Sequence, residues 1–337
     1  MHSVLIYANG IMVMGVILLL TNSSDGNHSS SVIEELRKMG KDVFRFDSDR
    51  FASGDIAIVF SPEGFTLSDG EQLVFSENIQ SIWYRRPRIF HTDLKDEKQR
   101  QYAENELMQF LEGLWLTKPD VLWMNPVRML EPARKKILQL HLAARLKFLI
   151  PPFVVTNNPD TVRQFYRKHD GSIVFKAINQ QVLVKYGNHL RHSAKTTLIT
   201  DALLDKIELI RKCPAIFQVL VPKVAEIRLT VVGNQLFPVR IEPPTNRQKD
   251  SVDWRGQLSV DEDASRFSLI DFPNDLAQRC LALMKELGLV YGAFDFAVDA
   301  EGRCWFLELN ANGQWYWIQK FTGLPIAKAI ADFLANP

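Results

Sequence analysis

The sequence predicts an α/β fold divided into α+β lobes. Three observations carry this. The chain opens with a strand–helix–strand unit, VILLLT, NSSDGNHSSSVIEELRKMG and DVFRFD. Short apolar strands alternate with amphipathic helices through its middle. Its last third holds two antiparallel hairpins, EIRLTVVG/NQLFPVRIE and one within YGAFDFAVDAEGRCWFLELNANGQWYW. A length of 337 residues suits two to three domains. With 46% hydrophobic and 23% charged residues, the chain has the composition of a globular protein with a large core. Forty Lys+Arg balance 39 Asp+Glu, which argues against a general nucleic-acid binder. Cys213, Cys280 and Cys304 form neither a CxxC pair nor a disulfide framework, and this suits a reducing cytoplasm.

Residues Val4 to Leu20 are rich in apolar side chains. They lack a basic leading region and a small-residue cleavage pattern. Asn9, Gly10 and Gly15 interrupt them, leaving a run too short to cross a bilayer. The expectation is a first strand at Gly15–Leu20 after an extension over residues 1–13, with Met12 and Met14 as alternative starts. Ser31 with Glu34 makes a capping box for the first helix, which Gly40 stops. Strands are expected at Ile56–Phe60 and Ser81–Arg85, the second running into WYRRP, and a helix from about Lys98 to Trp115. Pro132 suits the first position of a helix reaching about Lys147. The strand FVVT follows, then Asn158-Pro159 as N-cap and first residue of another helix, then the strand SIVFKAI. Strand IFQVLVP comes next, and Gly233-Asn234 is a good two-residue hairpin turn. The segment from Pro243 to Arg266 is polar. A helix from about Asn274 to Leu287 carries Leu276, Cys280, Leu283 and Leu287 at helical spacing.

The final hairpin carries the strongest chemical signal. Phe294, Phe296 and Val298 alternate with Asp295, Ala297 and Asp299. After the turn at Ala300-Glu301-Gly302, Cys304, Phe306, Glu308 and Asn310 alternate onto one face. A hairpin centred between Glu301 and Gly302 sets Asp295 opposite Glu308, with Cβ atoms roughly 5 Å apart. A divalent cation turns that repulsion into a site, and Asn310 adds a neutral oxygen. Three oxygens that leave positions open suit Mg²⁺ shared with nucleotide phosphates. The alternative is a solvated hairpin with two surface acids, since a slip of one residue would face the acids apart. Lys176 stands alone in the apolar strand IVFKAI and would be satisfied by a phosphate or by a sheet edge. The connector FQVLVP can offer backbone groups to a base edge, as any buried strand can. Glu226 and Arg228 share a face, and Arg228 suits either a phosphoryl oxygen or a cross-strand ion pair. Asp253-Trp254-Arg255 could grip a carboxylate or peptide, or form a surface turn. Lys135, Lys136 and Lys147 read as solvated, and His189 and His192 as surface residues.

The order of these parts resembles the ATP-grasp superfamily, in which two α+β lobes clamp ATP. WYRRP, FQVLVPKVAEIRLTVVG, DWR, YGAFDF and LELNANGQWYWI followed by TGLPIA narrow the resemblance to the microviridin-type graspetide synthetases, ATP-grasp ligases that crosslink ribosomal peptides. The resemblance runs from about Met14 to the end. It implies an N-terminal α/β pre-ATP-grasp domain at 14–122, a central lobe at 123–215 and a C-terminal lobe at 216–337. It implies that Lys176 contacts the α- and β-phosphates, that Gln218, Val219 and Leu220 line the adenine hinge, and that Glu226 lies near the ribose or phosphates. Arg228 would face the transferred phosphoryl group, while Asp295, Glu308 and Asn310 would hold Mg²⁺. Arg255, with Asp253 beside it, would bind the substrate peptide, and Lys135 would be an earlier nucleotide lysine.

The implied cofactors are ATP and Mg²⁺. The implied partner is a precursor peptide with leader and core, and the implied assembly a cytoplasmic homodimer acting without nucleic acid or membrane. The implied activity is peptide macrocyclisation through an acyl phosphate, giving esters to Ser/Thr or amides to Lys. The loop around Gln248–Asp261 is expected to exclude water. Other expectations are a different ATP-grasp carboxylate–amine ligase, or a non-enzymatic ATP-binding regulator. Two departures stand out. Asn310 is followed by Ala311 where the family has proline, and the segment after Lys176 is basic (Lys185, Arg191, Lys195).

Overall fold

The computed structural model describes residues 11–12, 15–87, 92–179, 196–243 and 264–337. The N-terminal domain centres on a four-stranded parallel sheet. Its strands are β2 (Val16–Thr21), β3 (Val43–Asp47), β7 (Ile79–Tyr84) and β8 (Leu122–Met124), in the order β3-β2-β7-β8. Strand β2 is buried at every position, as a central parallel strand covered on both faces must be. Ile17 and Leu19 face α1 (Asn27–Lys38) and the last helix of the chain, whereas Val16, Leu18 and Leu20 face the helix α3 (Glu97–Leu116). A second sheet, in the order β1-β6-β5-β4, comprises β1 (Ile11–Met12), β4 (Ala57–Ser61), β5 (Gly64–Ser68) and β6 (Gln72–Phe75). Strands β5 and β6 are not apparent in the sequence reading. The helix α2 (Ser48–Ala52) follows β3.

Two helix starts differ from expectation. The first helix begins at Asn27, four residues before the expected capping box. Ser30 and Ser31 back-bond to the carbonyls of Gly26 and Asn27, so these hydroxyls sit inside the helix and do not cap it. Gly40 does end it, at φ +70°, with Lys41 N–H bonded to Leu36 O at 3.0 Å. The helix expected from Pro132 is two helices, α4 (Val127–Ala133) and α5 (Lys136–Arg145). Pro132 lies in the last turn of α4, and Lys135 caps α5 from outside.

The central lobe carries an antiparallel sheet of β9 (Phe153–Thr156), β10 (Ile173–Lys176), β11 (Thr197–Leu198) and β12 (Ala215–Val219), ordered β11-β10-β12-β9. The helices α6 (Pro159–Lys168) and α7 (Asp201–Leu204) belong to this lobe. Asn158 caps α6, its side chain accepting from Asp160 N–H and Thr161 N–H. Ile173, Ala215 and Phe217 pack on Val162 and Phe165 of α6. The opposite face presents Val174, Lys176, Ile216 and Gln218. Since β12 belongs to this sheet, the lobe runs to Val219, and the expected division at 215 falls on the strand's first residue.

The C-terminal lobe is a five-stranded antiparallel sheet of β13 (Ala225–Val232), β14 (Gln235–Ile241), β15 (Phe267–Leu269), β16 (Tyr291–Val298) and β17 (Cys304–Asn310), ordered β15-β14-β13-β16-β17. Gly233-Asn234 closes the first hairpin, with Val232 paired to Gln235. One face, with Leu229, Phe294, Phe296 and Phe306, packs on α8 (Asn274–Glu286) through Leu276, Cys280 and Leu283. The helices α9 (Tyr316–Thr322) and α10 (Ile326–Ala335) then return the chain to the N-terminal sheet, where Leu334 O accepts from Ser81 Oγ at 2.7 Å. Among the described residues, no helix is long and apolar enough to cross a membrane.

Candidate active site

A cleft with about 950 Å³ of empty space, its open mouth included, separates the polar face of the central sheet from the C-terminal sheet. Such a size suits a nucleotide-sized ligand. Val174, Lys176, Ile216 and Gln218 form one wall; Glu226, Ala297 and Glu308 form the other; Lys136, Gln139 and Leu140 of α5 close a third side. Lys176 reaches Gln218 across the sheet, Nζ to Oε1 at 2.6 Å. In the connector, Val219 N–H donates to Pro152 O and Leu220 N–H to Ser172 O, so both are spent within the lobe. The next N–H, that of Val221, lines the cleft and has no backbone acceptor among the described residues. Gln218, Val219 and Leu220 line the cleft, as the expectation of a hinge requires, and Val221 lines it beside them.

On β13, Glu226 pairs with Lys223, and two residues on Arg228 lies directly across from Asp295. Both partners are buried, and Arg228 Nη1 donates to Asp295 Oδ1 at 2.8 Å. The cross-strand ion pair is thus formed. Arg228 Nη2 donates to Gln314 O at 2.9 Å, in the turn after β17.

The expected register holds where it matters, with Asp295 opposite Glu308 and Ala293 opposite Asn310. It does not hold further out. A bulge after Asp295 pairs Phe296 with Phe306 and leaves Leu307 unpaired. Phe306 therefore turns to the apolar face, fully buried, and of the four residues expected on one face Glu308 and Asn310 share that of Asp295. Asn310 Nδ2 lies 3.3 Å from Asp295 Oδ2 and 3.1 Å from Glu308 Oε1. An amide N–H₂ group bridging two carboxylates marks a spot where positive charge is stabilised. Two acids and one amide oxygen also make a hard donor set with room for further oxygens. These residues fit Mg²⁺. Among the described residues no group of three His, Cys, Asp or Glu converges, here or elsewhere, and the third donor at this site is an amide.

Lys135 lies outside the cleft, exposed and paired with Glu131 one turn earlier. Lys136, read as solvated from the sequence, points into it and donates to Ala177 O at 2.8 Å. Burial lowers its pKa, and the Glu308 carboxylate works the other way. Asp253 and Arg255 fall outside the described residues, as do Lys185, Arg191, Lys195, His189, His192 and the loop 248–261.

The turn from Asn310 to Gln314 is held by side chains with no motif of their own. Asn125 Nδ2 donates to Ala311 O and Tyr291 O, each at 2.8 Å, while its Oδ1 accepts from the N–H groups of Val290 and Tyr291. The Tyr291 hydroxyl donates to Gly313 O at 2.7 Å, and burial pushes its pKa up to about 12, so it remains a donor. A Cβ on Gly313 would lie 2.5 Å from Ala293 Cβ and 2.7 Å from Arg228 Nη2. Gln139 clips the strand from the other side, donating to Leu309 O and accepting from Leu309 N–H.

The family model described as the MvdD pre-ATP grasp domain matches residues 16–131. Solved structures match the chain over nearly its whole length. Macrocyclase MdnB from Microcystis aeruginosa MRC shares 31% identity at a TM-score of 0.74, covering 96% of this chain and 99% of its own. Macrocyclase MdnC from the same organism, bound with precursor peptide MdnA, shares 29% at a TM-score of 0.83, covering 96% and 100%. A RiPP-associated ATP-grasp ligase of Chryseobacterium gregarium, in complex with ADP and a leader and core peptide, shares 27% at 0.84, covering 96% and 97%. No curated protein matches by sequence. With this fold, this arrangement of cleft and carboxylates, and these relatives, the chain belongs to the graspetide-type family of ATP-grasp synthetases.

Proposed function

We propose that this chain is an ATP-dependent ligase that macrocyclises a ribosomal precursor peptide. The observation that carries the reading is the convergence of Asp295, Glu308, Asn310 and Arg228 beside a cleft walled by Lys176 and Lys136. A Glu or Asp side-chain carboxylate of the peptide attacks the γ-phosphorus of ATP, and ADP leaves. A Ser/Thr hydroxyl or Lys amine of the same peptide then attacks the acyl carbon of the acyl phosphate, and phosphate leaves. The net result is one ring, one water lost from the peptide, and ADP plus phosphate.

Each residue has a physical task. Lys176 and Lys136 place positive charge along the phosphates, and Arg228 offers its fork to the moving phosphoryl group. Glu226, tied by Lys223, faces the ribose side, and Gln218 to Val221 read the base. Asp295, Glu308 and Asn310 supply the protein oxygens for Mg²⁺, which when bound neutralises the phosphate oxygens. Catalysis is then mainly positioning and electrostatics. Asp253 and Arg255 are assigned to the peptide. A homodimer is the assembly that goes with this reading. The free cysteines fit a cytoplasmic setting.

The test is Glu308→Ala, offered ATP, Mg²⁺ and a short peptide encoded beside this gene and rich in Thr/Ser and Glu/Asp. ATP-dependent loss of water, read by mass spectrometry, is expected to vanish while the circular dichroism melt stays like wild type. Full activity of a folded Glu308→Ala would remove the assignment.

A further inference from the structure

We propose that Arg85 of the N-terminal domain is a positioning residue of the active site, holding the turn that follows the metal ligands. The proposal rests on the assignment of Asp295, Glu308 and Asn310 to Mg²⁺. Arg85 comes one residue after β7 ends, where a side chain can ordinarily turn to water, as that of exposed Arg86 does. Instead Arg85 is only 1% exposed. Burying a guanidinium is costly unless its donors are used; Nε and Nη2 find no hydrogen-bond partner among the described residues, so the burial rests on Nη1 and on the Asp25 ion pair. Here Nη1 donates to Asn312 O at 3.0 Å and to Gly313 O at 3.4 Å. Nη2 lies 3.4 Å from Asp25 Oδ1, whose side chain is also buried. Asn312 answers from the turn, its Nδ2 donating to Tyr84 O at 3.0 Å and Arg85 O at 2.8 Å.

The held carbonyls are the informative part. Arg85 takes those of 312 and 313; Arg228, the phosphoryl-facing arginine, takes that of 314. The two arginines thus grip consecutive carbonyls of one turn. That turn begins at Asn310, whose amide meets both acids. Ala311 follows Asn310 and has no ring to restrict its φ. The local backbone supplies one bond, Gly313 N–H to Asn310 O at 3.2 Å, and long-range bonds supply the rest. If Arg85 lets go, only Asn125 on Ala311 O and Tyr291 on Gly313 O are left to hold the turn from outside, so the aim of Asn310 and the Gln314 carbonyl that sets the second nitrogen of Arg228 both loosen. The fork matters as well as the charge, so lysine is not an equivalent replacement.

The test uses the full chain with ADP and Mg²⁺ as probes. Arg85→Lys and Asn312→Ala approach the contact from its two sides. For each, calorimetry measures ADP binding against Mg²⁺ concentration, and hydrogen exchange reads the amides of 311–315. In both variants the Mg²⁺ concentration for half-maximal ADP binding should rise at least fivefold. ADP affinity at saturating Mg²⁺ should stay within twofold of wild type, and exchange across the turn should speed up. A merely structural role would lower the melting temperature without moving the Mg²⁺ midpoint, and that result overturns the proposal. Should Arg85→Lys fail to fold, Asn312→Ala decides on the same criterion. If wild-type ADP binding ignores Mg²⁺ altogether, the metal assignment itself falls, and the proposal with it.

Discussion

Replacing Asp295 by asparagine separates the two tasks placed on that carboxylate. Asp295 and Arg228 are 3% and 6% exposed, and their contact is 2.8 Å. Breaking a buried ion pair by removing one partner costs about 3–5 kcal/mol, because the remaining charge is stranded. Asparagine is nearly isosteric and keeps an acceptor for Arg228 Nη1. The loss then reduces to the excess of a charge-assisted over a neutral hydrogen bond plus incomplete neutralisation, about 2 kcal/mol. Urea unfolding followed by tryptophan fluorescence should therefore show a clear downward shift of the midpoint with a folded baseline retained. In the same variant the Mg²⁺ dependence of ADP binding should disappear, since one of two anionic ligands is gone. An unchanged urea midpoint would refute the energetic reading of the pair. Mg²⁺-dependent ADP binding within twofold of wild type would remove Asp295 from the metal site.

Two further outcomes follow from the geometry. Gly313→Ala places a methyl against Ala293 Cβ and Arg228 Nη2, with an overpacking cost of about 1–3 kcal/mol; relief by moving Arg228 should cut turnover while ADP still binds, measured by single-turnover kinetics and calorimetry. His28, whose Nδ1 accepts from Tyr316 N–H, has its pKa lowered to about 3 by burial first and then by Arg85 and Arg86. Between that value and an unfolded pKa of about 6.5 the unfolded chain binds the extra proton, so stability rises with pH across this window and levels off above it. The contribution lost on going from pH 7 to pH 5 is on the order of 2 kcal/mol, and His28→Gln should flatten that part of the urea-midpoint profile.

Much of this was legible in the chain. Alternation around Ala300-Glu301-Gly302 sets Asp295 opposite Glu308, because a two-residue period and one turn determine which residues meet. The bulge is not legible, since no glycine or charge marks the extra residue, and period-two counting puts Phe306 on the face of Glu308 when it lies on the apolar one. The place of Lys136 is hidden in the sequence for a related reason. Proline suits the first turn of a helix, yet Pro132 lies in the last turn of α4, and α5 restarts at Lys136. A shift of one residue turns a helical side chain by about 100° and exchanges Lys135 for Lys136 at the cleft. Val219 and Leu220 could be placed on the connector from sequence, but which N–H groups the lobe consumes depends on β9 and β10. Arg85 carried only a faint signal, a second arginine before proline at a strand end. Its partners lie some 227 residues away along the chain, beyond the reach of local pattern.

The proposed activity requires a metal-loaded nucleotide held by the end of β17 and its partner strand. Crystals soaked with ADP and Mn²⁺, with diffraction recorded at the manganese edge, test this directly. The expected result is an anomalous peak in contact with Asp295, Glu308 and the Asn310 side-chain oxygen, with Arg228 beside the terminal phosphate. A bound nucleotide whose manganese sits away from all three side chains would contradict it.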